Sequence, residues 1–222
     1  MFPTKPESIA LGSEEFVRRA KSGTLPEGCV LRDVVLDGAD LSGTDLHGWT
    51  FRRVSLKRAN LSGAQLAETR WFEAGLAEAQ LDHADLSFAN LSEADLRSAS
   101  LESANLTDAS LEKARLRGAN LKGAVLLRAD LSDAEMDAAR LREANLQGAL
   151  LRGARLAGVD FSNLSLKSLD LHGADLAGAR FAGADLTDAD LSSAKALHPS
   201  AERPRQLFHN TQHTSTQHTA PW

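Results

Sequence analysis

Tyrosine is missing from the 222 residues, and aromatic residues amount to only 5% of them. So few rings imply a narrow core, filled by the leucine and alanine that dominate the 42% apolar fraction. The single cysteine, Cys29, excludes a disulfide framework within the chain. No apolar run approaches the roughly 20 residues that span a bilayer, so no membrane association is expected. The opening residues, MFPTKPESIALGSEEF, hold no apolar stretch of signal-peptide type. A soluble cytoplasmic protein is the expectation. The G-x-G-x-x-G, Walker A, H-E-x-x-H and C-x-x-C motifs are all missing as well. No catalytic site and no cofactor are expected, and no direct contact with nucleic acid.

What the chain has instead is a period. Starting at Leu31, every fifth residue through Leu191 is Leu, Phe, Trp or Met, 33 positions in succession. Leucine fills 28 of them, and the others are Phe51, Trp71, Met136, Phe161 and Phe181. Two residues before each lies a small or apolar residue, mostly alanine from Ala59 to Ala154. A helix turns about 100° per residue and would scatter a five-residue period around its circumference. A flat strand would point successive leucines to opposite faces, because five is odd. Self-similarity at a fixed period therefore decides the fold ahead of local propensity.

In extended backbone, residues i−2 and i share a face and the residue between them points away. Alanine and leucine thus face inward. The other two residues, drawn from Ser, Gly, Asp, Glu, Arg and Ala, suit a polar turn. Each pentapeptide reads as a three-residue strand plus a corner. The chain always bends toward its leucines, so it coils around a leucine-filled axis as a parallel β-solenoid. Phe51 and Trp71 are separated by four repeats, and so are Phe161 and Phe181. Direct stacking of these rings implies four pentapeptides per coil, hence four sides. A core so filled leaves no interior cavity for a substrate, a second reason to expect no enzyme.

The tandem A-(D/N)-L-x-x unit recurs at Ala39-Asp40-Leu41, Ala59-Asn60-Leu61, Ala89-Asn90-Leu91, Ala119-Asn120-Leu121, Ala144-Asn145-Leu146 and Ala184-Asp185-Leu186. It resembles the pentapeptide repeat family across about three quarters of the chain. The resemblance implies an all-β, right-handed, four-sided parallel β-helix. Residues 31–195 make about eight such coils, a rod of roughly 40 Å at about 4.8 Å per coil.

Solenoid ends need covers, because a bare terminal coil exposes apolar side chains and strand edges. Residues 1–30 are the expected N-terminal cap. Ser13 is placed to cap a short helix, Glu14 and Glu15 suit its first turn, and Gly23 follows its end. Phe16, Val17 and Ala20 would face the first coil, and Trp49, inward where alanine is usual, would widen it near Trp71. Residues 196–222 are expected to form a C-terminal cap or a flexible tail, given their low apolar content. Within them Leu197, Leu207 and Phe208 are candidates to cover the last coil or to pair with a second subunit, giving a homodimer through the C-terminal end. His209, His213 and His218 have a metal-like spacing, but a duplicated TQHT explains them equally, and no metal site is assigned. Cys29 occupies an inward position, as a buried thiol would.

Function then rests on the outer surface, where two readings stand. One is a rigid scaffold that presents flat faces to another protein, including the secretion or effector systems of bacteria in which such repeats occur. Its candidate surface comprises Arg32, Arg52, Phe72 and Phe88. Four-sided coils put Arg32, Arg52 and Phe72 in one outward column, with Arg52 beneath the Phe72 ring in cation–π reach. Isolated exposed aromatics are also common and without function. The other reading follows from the resemblance: some pentapeptide repeat proteins mimic duplex DNA and protect DNA gyrase or topoisomerase IV. That demands a dense anionic surface. From Leu31 to Ala194 there are 25 acids against 18 bases, a net of −7. Only the last part, 156–194, is clearly anionic, with six acids and two bases. Asp170, Asp175, Asp185, Asp188 and Asp190 are its candidate mimic residues. A charge this sparse and mixed favours the scaffold.

Overall fold

The computed structural model describes residues 8–9 and 11–195. The expectations for Leu197, Leu207, Phe208, the tail histidines and an end-to-end dimer lie outside the described residues. From position 31 the chain is a parallel β-helix in which outward residues pair one coil, or four pentapeptides, apart, as in Asn105↔Val125 and Val125↔Asn145. The sequence period predicts this because a coil of four pentapeptides returns every leucine above another leucine. Around Leu106, its N–H donates to the Val125 carbonyl at 2.7 Å, Asp108 N–H to Leu127 at 2.9 Å, and Val125 N–H to Ala104 at 2.9 Å. The inward leucines and alanines form one continuous buried cluster from Phe16 to Leu186.

The corners explain the two polar positions. Every fifth residue from Asp33 to Ser193 has positive φ, between 50° and 70°, and 21 of these are not glycine. At most corners the N–H three residues beyond the inward leucine donates back to that leucine's carbonyl, as Ala109 does to Leu106 at 3.1 Å. Positive φ at the third residue of such a turn is the type II pattern. The turn tightens the chain so soon after the leucine that most sides carry one bridged residue, not the three-residue strand expected from the pentapeptide. Three-residue strands occur on one side only: β2 (Val30–Arg32), β3 (Thr50–Arg52) and β4 (Arg70–Phe72). There Phe51 stacks on Trp71 with centroids 4.2 Å apart; on the opposite side, nearer the C-terminal end, Phe161 stacks on Phe181 at 5.3 Å. Beside Phe51 and Trp71, Trp49 is fully buried. On this side Asp33 N–H donates to the Arg52 carbonyl at 3.1 Å and Arg53 N–H to Phe72 at 2.9 Å, so pairing continues past the inward residue before the chain turns.

The N-terminal end is closed by two elements. Strand β1 (Ser8–Ile9) pairs in parallel with β2, so the sheet order is β1-β2-β3-β4. Helix α1 (Ser13–Lys21) then lies over the first coil. Phe16 and Ala20 are buried, Val17 packs against the core, and the Phe16 ring meets Trp49 edge-on at 5.6 Å. The N-cap is Gly12, not Ser13 as expected. Extended Gly12 already accepts the first helical bond, from Phe16 N–H at 2.9 Å, which makes Ser13 the first helical residue. The other end follows expectation: Gly23, at φ 62°, donates to Ala20 while Thr24 donates to Arg19, a Schellman closure.

Candidate protein-binding face

Each side of the rod presents one outward column flanked by corner residues. The first side follows β2, β3 and β4, then continues through Asn90, Ser110, Asp130 and Leu150 to Asp170 and Asp190. One of its edges carries Arg32, Arg52 and Phe72, and the other carries Glu68 and Phe88. The exposed large apolar side chains among the described residues are Val35, Phe72 at 37%, Phe88 at 60% and Leu150 at 43%. Three of these four border or lie on the first side. The Arg52 guanidinium sits 4.5 Å from the centroid of the Phe72 ring, the cation–π contact that the stacking of columns predicts. A shallow depression of about 270 Å³ lies between Phe88, Glu68, Arg70 and Asn90. The structure thus gathers all four aromatic-surface candidates, Arg32, Arg52, Phe72 and Phe88, on the N-terminal half of one side.

The five aspartates proposed as an anionic surface do not gather in this way. Asp170 and Asp190 share the first side and Asp188 stands at its edge. Asp175 belongs to the second side, in register with Arg155 and Lys195, and Asp185 to the fourth, above Ser165. Four of the five also have work inside the fold. Asp170, Asp175, Asp185 and Asp190 each accept the backbone N–H two residues on, at 2.9–3.1 Å. So does every Asp and Asn in the position before an inward leucine between Asp40 and Asp190, fifteen residues in all. This Asx turn starts those fifteen corners. The carboxyls of Asp185 and Asp190 fall below the usual carboxylate range because the Thr187 and Ser192 hydroxyls, then their N–H groups, bond the charged form.

Many remaining charges cancel between neighbouring coils. Arg53 pairs with Asp33 at 2.6 Å, Lys122 with Glu102 at 2.8 Å and Arg180 with Asp160 at 2.6 Å, each across one coil step. Hydrogen bonds from the guanidinium of Arg53 and the ammonium of Lys122 hold the carboxyl pKa values of Asp33 and Glu102 below the ordinary carboxylate range. Arg32 and Arg70 have no ion pair among the described residues. Sequence reasoning missed Arg70 and Leu150 as parts of this side, although counting outward residues in steps of one coil places both. Among the described residues no group of His, Cys, Asp and Glu could hold a metal ion, and no helix is long and apolar enough to cross a membrane.

The pentapeptide repeats family matches in eight copies, over residues 22–48, 74–112, 109–148, 139–178 and 165–196. The chain is a member of the pentapeptide repeat family. Its β-helix is of the right-handed, quadrilateral kind shared by that family. Among solved structures it is similar to HetL of the cyanobacterium Nostoc sp. strain PCC 7120, a pentapeptide repeat protein involved in the regulation of heterocyst differentiation. The two are 31% identical over 86% of this chain and 99% of HetL, with a TM-score of 0.63. QnrB1, a plasmid-mediated fluoroquinolone resistance protein studied in trypsin-treated form, is 19% identical over 74% of this chain and 84% of its own, with a TM-score of 0.49. None of the curated proteins matches the chain.

Proposed function

We propose that this pentapeptide repeat protein is a non-enzymatic scaffold of the cytoplasm that binds another protein through its first side. The observation that carries this reading is the exposure of Phe72 and Phe88 on the two edges of one flat side, with Arg52 held against Phe72. Exposed rings beside arginines are the composition of protein-binding hot spots. A core closed with leucine and alanine supports the absence of catalysis. The alternative, a DNA mimic that protects gyrase or topoisomerase IV, needs contiguous negative charge. Its candidate aspartates fall on three sides, and Asp175 lies between Arg155 and Lys195, so the scaffold is the better supported reading.

Capture of partners from a lysate of the native host on the purified rod tests the two against each other. Phe72→Ala weakens capture at least tenfold, whereas changing Asp170, Asp175, Asp185, Asp188 and Asp190 together to Asn leaves it unchanged. The purified protein does not relieve gyrase inhibition in a supercoiling assay. Relief at a near-stoichiometric dose, lost in the five-Asn variant and with rising salt, would replace the scaffold by the mimic.

A further inference from the structure

The first side changes character along its length. Its N-terminal half carries Arg32, Arg52 and Arg70 with the rings of Phe72 and Phe88 and Glu68 at one edge, and its C-terminal half carries Asp130, Asp170 and Asp190 with exposed Leu150 in the column and Arg128 and Arg152 at the edges. We infer that this side is self-complementary and that a second copy of the chain docks on it face to face, with the two rods antiparallel. This rests on the reading of the first side as a protein contact.

The register follows from the stacking of coils. A two-fold axis lying in the face at Ser110 puts Arg70 opposite Leu150, because each lies two coils from the centre. Asn90 then meets Asp130, and Asp170 comes over the buried Thr50 with Arg52 beside it. Along the edges, Phe72 comes opposite Arg152, a cation–π pair, and Phe88 comes opposite Arg128, whose guanidinium is already held by Asp108. Arg52 and Arg32 come one column away from Asp170 and Asp190. Arg152 has no ion pair among the described residues, so it is available to the ring. The like charges that meet at the axis are compensated within each chain: Asp108 is held by Arg128, and Glu112 by Lys113 at 2.7 Å. Such an isologous pairing uses both halves of the side at once.

The area suffices. Eight coil steps from Val30 to Asp190 span about 38 Å at roughly 4.8 Å each. A width of roughly 15–20 Å then buries about 600–750 Å² per copy, within the standard range for a specific complex.

Sedimentation velocity across protein concentrations, at low and high salt, tests this with two charge-reversed proteins. One carries Arg52→Glu and Arg70→Glu; the other carries Asp170→Arg and Asp190→Arg, a residue type already present at the equivalent outward sites Arg115 and Arg140. Thermal melts establish that both are folded. The parent is expected to dimerise in the micromolar range, at least tenfold more weakly in high salt. Each variant alone is expected to be monomeric, since its halves now repel, and an equimolar mixture of the two is expected to dimerise again. A parent that stays monomeric at 100 µM or so, variants that still dimerise alone, or a mixture without recovery would each overturn the pairing. If the parent is monomeric while Phe72→Ala still abolishes partner capture, the self-pairing falls and the scaffold reading stands.

Discussion

Aspartate and asparagine interchange before the inward leucines because the corner uses one carbonyl-type oxygen and not a charge. Asn145 shows the point in its simplest form, since its side-chain oxygen accepts only the Gln147 N–H, at 3.0 Å. Asn145→Ala is expected to cost about 0.5–1.5 kcal/mol in chemical denaturation, the net worth of one such bond. Asn145→Asp keeps the acceptor and is expected to stay within about 0.5 kcal/mol of the parent. Acid sensitivity arises at the same position. Asp40 is brought down to about 2 by the Ser42 hydroxyl, then the Ser42 N–H, then Lys21 of α1. A carboxyl depressed in the folded state contributes stability that is complete above its unfolded value of 3.8 and is lost as pH falls toward 2. Lys21 reaches Asp40 at 3.1 Å and the Ser42 carbonyl at 2.8 Å, so this carboxylate also helps hold the end of α1. Protection of the α1 amides, measured as exchange relative to the intrinsic rate at each pH, is therefore expected to fall between about pH 4 and 2, and Asp40→Asn is expected to remove that loss.

Among the elements, α1 is the one whose contribution rests on a few side chains. Phe16 is fully buried against Trp49. Phe16→Ala is expected to cost about 3–5 kcal/mol, the range for a buried ring removed without collapse of its site. The loss concentrates at one end of a one-dimensional array, so the first coils are expected to fray before the rest. Light scattering during a thermal ramp would show it as association beginning below the main melting transition, as the apolar end is uncovered. Phe16, Val17 and Ala20 are legible in the sequence as an apolar stripe at helical spacing. The shift of the cap from Ser13 to Gly12 is not, because backbone conformation chose the extended residue over the better hydrogen-bonding one. The longer strands β2, β3 and β4 were likewise out of reach, since they depend on backbone pairing between neighbouring coils that the repeat does not record.

Over the whole molecule, the pentapeptide sets the fold and the four-repeat coil sets the faces, and deletions separate the two. Removing residues 101–120 takes out one full coil and leaves every later residue on its side. Removing residues 101–110 also preserves the pentapeptide register, but it turns everything beyond by two sides and carries Leu150 away from Phe72 and Phe88. Both deletions are expected to fold and melt cooperatively, with the full-coil deletion alone keeping the association of the parent. Circular dichroism melts and sedimentation velocity on the two proteins would decide it.

The amino-acid sequence by itself determined the solenoid, its four sides, its core and the column that sets Arg52 under Phe72. It could do so because a strict repeat makes each inward residue meet its own kind one coil away, and counting in repeats and coils replaces any search over topologies. Only the tertiary structure decided what the outward residues do. It showed that the repeated Asp and Asn are turn-starting acceptors, that the five C-terminal aspartates scatter over three sides, and that the exposed rings collect at one end of a side whose other end carries aspartates in its central column. Those properties depend on side-chain reach across neighbouring coils and corners. The repeat constrains the inward positions, and it leaves the outward ones free to differ from coil to coil.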